Sequence, residues 1–249
     1  FYPIDLTNSY YAKPINFSGS TYEGGANFSD STYQGEANFN DSTYQGEANF
    51  NDSSYKGGAY FSASSYKGWA DFTRSTYQGW ADFSDSSYKG GAYFSDSTYQ
   101  DEAYFSDSTY QGWANFSDST YQDWANFSDS TYQDEVYFHS STYKALAYFR
   151  RSTYQALADF RRSTYQDVAD FSGSIFYQKV YFGADGDNSS FSRFTDCAPQ
   201  FYDETNRKNT LFGSPDNNFT VENGRGYPIY RNLEGLPLGC KFLTSEQKE

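Results

Sequence analysis

Small and aromatic residues recur along this chain on an eleven-residue cycle. In ANFSDSTYQGE, residues 26–36, the small or aromatic positions are Ala26, Phe28, Ser31 and Tyr33, and the next small residue is Ala37. The steps between them are two, three, two and four. A step of two keeps side chains on one face of an extended chain, whereas a step of three or four carries the chain round a corner to a new face. Each unit therefore predicts two short strands and two turns. Helix is excluded, because no apolar stripe of period 3.6 exists and the units are rich in Ser, Thr, Asn, Asp and Gly.

The register runs from Ile4 through Ile15, Ala26, Ala37, Ala48, Ala59, Ala70, Ala81, Ala92, Ala103, Ala114, Ala125, Val136, Ala147 and Ala158 to Ala169 without an insertion. These are sixteen units ending at Lys179, followed by a partial unit, Val180 to Phe182. A repeat that never slips requires every unit to occupy the same slot in space.

The units ANFSD and STYQG, with Glu36 as an eleventh residue, resemble the pentapeptide-repeat family, in which a small residue stands two places before a central Leu or Phe. The resemblance covers residues 4–182. It implies a right-handed parallel β-helix with four faces per coil and five residues per face. The departures are the eleventh residue and Tyr at every second centre. Two circuits fit: two units per four-sided coil of 22 residues, or one unit per flattened two-sided coil. At about 4.8 Å per layer they give rods on the order of 38 Å or 77 Å long. The four-sided circuit is the expectation, since it lets two Phe, two Tyr, two Ala and two Ser fill a square section with alternating large and small side chains. Residue i then stacks on residue i+22, with Phe28, Phe50, Phe72, Phe94 and Phe116 in one column and Tyr33, Tyr55, Tyr77 and Tyr99 in another.

Beyond residue 182 the period is lost. Residues 183–249 hold four of the six prolines and both cysteines, and are expected to form a small irregular cap over rings and backbone that the last coil would otherwise expose. Pro3 and Pro14 blunt the opposite edge by removing donors.

Composition sharpens the functional picture. The apolar mass is almost all rings: 24 Phe, 27 Tyr and 4 Trp in 249 residues. A formal charge of −14 argues against direct nucleic-acid binding and leaves basic partners open. No apolar run is long enough to span a membrane. The absence of Met at the start suggests a processed N-terminus, and Cys197 and Cys240 suggest one disulfide. Together they lead to the expectation of an extracytoplasmic compartment.

Catalytic signals are weak. His139 is the only histidine and has no Cys or second His near it in sequence, so it is expected to be an ordinary coil residue. Nucleophilic triads lack a base, no cofactor is implied, and carboxylate pairs are copied from unit to unit, unlike a unique site. Sequons at Asn16, Asn27, Asn40, Asn51, Asn115, Asn126, Asn188 and Asn218 follow from repeat composition and carry little weight. Asp30, Asp41, Asp52, Asp85, Asp96, Asp107, Asp118 and Asp129 share one position and form ladders. They are expected to cap corner N–H groups, the alternative being weak divalent-cation sites. GADGDNSS, with Asp185, Asp187 and Asn188, has an incomplete calcium-loop pattern. Arg150, Arg151, Arg161 and Arg162 make a basic belt beside Leu146, Leu157 and Val168, onto which the acidic C-terminal segment is expected to pack.

The docking candidates are aromatic. Trp69, Trp80, Trp113 and Trp124 take the eleventh position, and Tyr60, Tyr93, Tyr104, Tyr137 and Tyr148 take the place before the central Phe. Both positions point outward, and on a 22-residue coil they fall on two opposite flanks. Trp and Tyr dominate buried interface anchors, so the leading expectation is a non-catalytic scaffold or interaction subunit, in a multi-subunit assembly or a homo-oligomer. The alternatives are an acidic DNA mimic that regulates a DNA-binding enzyme, as the family resemblance implies, and a binder of ice or crystal surfaces through the recurring Thr column.

Overall fold

The computed structural model describes residues 2–183, 191–222, 224 and 226–248. Those residues contain strands and turns and no helix, so no helix is long and apolar enough to cross a membrane. The strands are two residues each, and four parallel sheets stack them into a four-sided solenoid. The first face begins with Ile4–Asp5, the second with Tyr10–Tyr11, the third with Ile15–Asn16 and the fourth with Thr21–Tyr22. Pairing then repeats every 22 residues, as Ala26 with Ala48 and Tyr55 with Tyr77 show. The four-sided circuit is the one adopted, over about eight coils.

Inward residues are the ones that the step pattern selects. Ala, Phe, Ser and Tyr of each unit are buried from Ala26 to Phe171, and their rings form four columns. Phe72, Phe94 and Phe116 stack with centroids 5.0 and 4.9 Å apart and planes within 3°. Tyr55, Tyr77 and Tyr99 stack at 4.9 Å in the same way. Across the section Phe94 meets Phe105 edge-on at 5.1 Å. Offset stacks along the axis and edge contacts across it are the two arrangements that ring quadrupoles favour.

Serine at the second small position does more than fill space. The hydroxyl of Ser97 accepts from the N–H of Ser75 at 3.1 Å and donates to the carbonyl of Ser95 at 3.1 Å. The same link runs from coil to coil as far as Ser163 and Ser192. A corner N–H inside the wall thus receives a side-chain acceptor from the next coil. Replacing Ser97 by Ala leaves the Ser75 N–H buried without that acceptor, and the expected loss is about 1–3 kcal/mol in equilibrium denaturation. A loss below a few tenths, which is the scale of volume-neutral surface changes, would show that the ladder contributes nothing.

The acidic column has another cause than the expected one. Asp30, Asp41, Asp52, Asp85, Asp96, Asp107, Asp118 and Asp129 all have φ between +54° and +58°, and Gly19 and Gly173 take the same slot at +65° and +68°. The corner needs a left-handed residue, which Asp tolerates better than most and Gly best. Corner N–H groups are capped instead by the outward residue of the first strand. Asn27 accepts from Ser29 N–H at 3.2 Å, Asp71 from Thr73 at 2.9 Å and Asp82 from Ser84 at 3.0 Å.

At the far end, the chain after residue 190 continues the columns without the repeat. Arg193–Phe194 extends the second face, and Leu211–Phe212 and Lys241–Phe242 extend the fourth. Phe194 stacks on Tyr165 at 4.8 Å, Phe201 on Phe171 at 5.2 Å and Phe212 on Phe176 at 5.2 Å. A two-stranded antiparallel pair, Tyr202–Asp203 with Lys208–Asn209, lies beside them. The disulfide expectation fails: Cys197 and Cys240 are free thiols. Cys240 is buried with its Sγ turned to the Phe201 carbonyl at 3.8 Å, and burial pushes its thiol up to about 12. The incomplete calcium-loop pattern at Asp185, Asp187 and Asn188 lies outside the described residues.

Candidate functional site: two aromatic flanks

The outward ring positions fall on the first and third faces. Trp69 and Trp113 precede strands of the first face, which also carries Tyr93 and Tyr137; Trp80 and Trp124 precede strands of the third, with Tyr60, Tyr104 and Tyr148. The four tryptophans are 60%, 51%, 54% and 43% exposed in chain order, which separates them from every buried ring of the columns. The five tyrosines are half-buried. Along each flank the two ring types alternate, because the place two residues after each Trp is Asp71, Asp82, Asn115 or Asn126 and never Tyr. Trp69 meets Tyr93 edge-on at 6.2 Å, Trp80 meets Tyr104 at 6.5 Å, and Trp124 meets Tyr148 at 6.3 Å.

Local sequence explains the alternation. Four of the five outward tyrosines fold back over the residue two places before them: a side chain on Gly58 or Gly91 would run into Tyr60 or Tyr93. Where that place is Glu, the phenol instead donates to it, as Tyr104 does to Glu102 and Tyr137 to Glu135. Burial, then the Glu135 partner, pushes the Tyr137 phenol up to about 12. A Trp at the eleventh position leaves no room for such a fold, and the units that follow one, starting at Ala70, Ala81, Ala114 and Ala125, carry Asn or Asp in place of Tyr. Trp69 also lies against the next coil, since a Cβ on Gly90 would sit 3.1 Å from its Cδ1.

The charged candidates are mostly paired within the rod. Arg151 makes a two-pronged ion pair with Asp129, and Arg74 does the same with Asp52, holding that carboxyl below its usual range. Arg161 pairs with the buried Asp159, and Arg150 lies 3.9 Å from Asp170 with its guanidinium over the Tyr148 ring at 4.5 Å. Arg162 is exposed. Arg150 also lines a cleft of about 700 Å³ with Asp203 and Glu204 of the C-terminal segment. The Asp columns are broken by Arg74, Ala63, Ser140, Arg151 and Arg162, so neither corner presents an unbroken anionic row. His139 stands beside Tyr137 and within 3.2 Å of the Ser140 hydroxyl. Among the described residues no group of three or more His, Cys, Asp or Glu is placed to hold a metal ion.

Sequence reasoning missed which carboxylates face the rings, because that depends on register between coils. Asp82 sits between Tyr60 and Tyr104, and Asp159 between Tyr137 and Tyr181. The signal was present as units of the form Ala-Asp-Phe lying 22 residues from units of the form Ala-Tyr-Phe or Val-Tyr-Phe.

Comparison with curated proteins and with solved structures gave no match. A family model described as pentapeptide repeats (9 copies) matches residues 12–54 and 89–131. Residues 12–54 and 89–131 thus carry the repeats of the pentapeptide-repeat family, and the four-faced coil and the two-residue strands with a small residue two places before each central ring support reading the whole solenoid as a pentapeptide-repeat protein.

Proposed function

We propose that the protein is a non-catalytic interaction scaffold that braces a larger assembly by wedging its two aromatic flanks between neighbours. The observation that carries this reading is the pair of alternating Trp and Tyr stripes on opposite faces, with tryptophans about half exposed on an otherwise ring-burying rod. Exposed Trp gains nothing from water and contributes strongly when a partner buries it. The solenoid fold is compatible with such a role. A DNA-like anionic surface is disfavoured by the interruptions in both Asp columns.

Glu is native to the eleventh position at Glu36 and Glu47, so Trp69→Glu with Trp113→Glu, and Trp80→Glu with Trp124→Glu, should fold as the parent does. Each pair is expected to lose its stoichiometric neighbours on native isolation, with an unfolding free energy within about 1 kcal/mol of the parent. Undiminished assembly in both double variants would sink the scaffold reading.

A further inference from the structure

One rung of the first flank already holds a cation. Arg161 lies in the notch between Tyr137, Asp159 and Tyr181: its Nε is 2.9 Å from Asp159 Oδ1, a terminal nitrogen is 2.6 Å from Oδ2, and its guanidinium stands 5.4 Å from the Tyr181 ring centre. Asp159 is almost wholly covered as a result. This is fork-to-fork recognition with an aromatic wall, the arrangement that suits guanidinium better than ammonium.

The flank on the third face repeats the notch and leaves it open. Asp82 is paired in register with Tyr60 on one side and Tyr104 on the other, as Asp159 is with Tyr137 and Tyr181. In the place of Arg161 stands Ser84, whose N–H and hydroxyl both go to Asp82 Oδ1, at 3.0 and 2.6 Å. Among the described residues no donor reaches Oδ2. The surroundings differ as well: Trp80 stands where Leu157 does, Glu102 where Lys179 does, and Gly58 where Glu135 does. The first change favours a cation by a further ring, and the other two together leave this notch one negative charge richer than its twin.

We propose that Asp82, Tyr60, Trp80 and Tyr104 form a binding site for the guanidinium of an arginine supplied by a basic partner protein. The site deepens the scaffold reading and rests on it, since it names what one flank takes hold of. The partner's chemistry follows from the internal twin, which holds Arg161, and from a net charge of −14 that draws basic surfaces. Burial, then the Glu36 and Asp82 charges, push the Tyr60 phenol up, as expected of a ring beside this carboxylate.

Octa-arginine and octa-lysine, compared at one ionic strength by tryptophan fluorescence and calorimetry on the full chain, test the site. Octa-arginine is expected to bind about tenfold more tightly than octa-lysine, because guanidinium both forks and stacks. Asp82→Asn should abolish that preference while folding normally, since Asn holds the same slot at Asn27 and Asn115 and caps the same N–H. Asp85→Asn, an exposed carboxylate of the same unit, should leave it. Arg161→Ser should open the twin and add a second arginine-selective site. Equal affinity for the two peptides, a preference that survives Asp82→Asn, or preferential binding of a neutral oligosaccharide at Trp80 would each overturn the proposal. If the Trp80 and Trp124 pair proves necessary for assembly while octa-arginine shows no preference, the scaffold reading stands and the guanidinium site falls. An arginine preference centred on Asp82 in a protein whose assembly ignores its tryptophans gives the reverse.

Discussion

Raising the pH through 10 is expected to unfold the protein abruptly, with phenolate absorbance and loss of strand circular dichroism appearing together. Fourteen tyrosines, Tyr22 to Tyr165, are buried in the columns, and burial raises the pKa of each, with Tyr99 and Tyr121 well above the ordinary value. A raised folded-state pKa means that the neutral phenol is favoured in the fold. The stability this contributes is fully present below the unfolded value near 10 and is lost as pH rises above it, because the unfolded chain then releases protons that the folded chain keeps. Each phenol takes away about 1.4 kcal/mol per pH unit well above pH 10, so fourteen together remove roughly 20 kcal/mol per unit. A whole domain is stable by only about 5–15 kcal/mol, so unfolding should be complete within about one unit. Gradual ionisation of most tyrosines near pH 10, with the sheets intact, would contradict the buried, stacked geometry.

The largest effect of a single substitution is expected at the centre of a Phe column. Phe94 is stacked between Phe72 and Phe116 and met edge-on by Phe83 and Phe105, all within 5.1 Å centroid distance. Phe94→Ala removes those contacts and leaves a cavity that the rigid ladder above and below cannot close, at a cost of about 3–5 kcal/mol. Because each coil touches only its neighbours, the loss should appear as faster hydrogen exchange centred on the coils of Phe72, Phe94 and Phe116. Tyr99→Phe is the contrasting case. The hydroxyls of Tyr33 and Tyr110 reach the Phe28 and Phe105 carbonyls only at 3.5 Å, and that of Tyr99 finds no hydrogen-bond partner among the described residues. Removing an unpaired buried hydroxyl should be neutral or stabilising by about 1 kcal/mol, and Phe already holds the equivalent slot at Phe194. A cost for Tyr99→Phe close to that for Phe94→Ala would mean that the hydroxyl has a partner after all, and a Phe94→Ala cost under about 1 kcal/mol would mean that the column can collapse.

Much of this architecture was legible in the residues themselves, because a strand's period of two and the corner steps of three and four leave one way to alternate Ala, Phe, Ser and Tyr toward the inside. That reasoning placed Phe94 over Phe72 and Tyr99 over Tyr77, put Trp69 and Trp80 on opposite flanks, and found no cofactor motif to follow. It did not read the second use of serine. Ser and Ala look alike as small inward residues, and only the coil above shows that the Ser75 N–H needs the Ser97 hydroxyl. It gave the acidic column a capping role that belongs to Asn27, Asp71 and Asp82, since a left-handed φ at Asp96 cannot be told from a capping Asp by residue type alone.

What the sequence by itself determined is therefore everything local and periodic: which side chains face inward, where the chain turns, and that the rings recur every eleven residues. The tertiary structure alone decided what depends on distance in space between residues remote in the chain. Within the expected 22-residue coil, the closed section sets Asp82 between Tyr60 and Tyr104 and lets Arg161 fill the matching notch beside Asp159, and the fold beyond residue 190 leaves Cys197 and Cys240 as separate thiols. The physical reason is that strand periodicity constrains direction, whereas the partner across a coil is chosen by how the whole section closes around its four columns of rings.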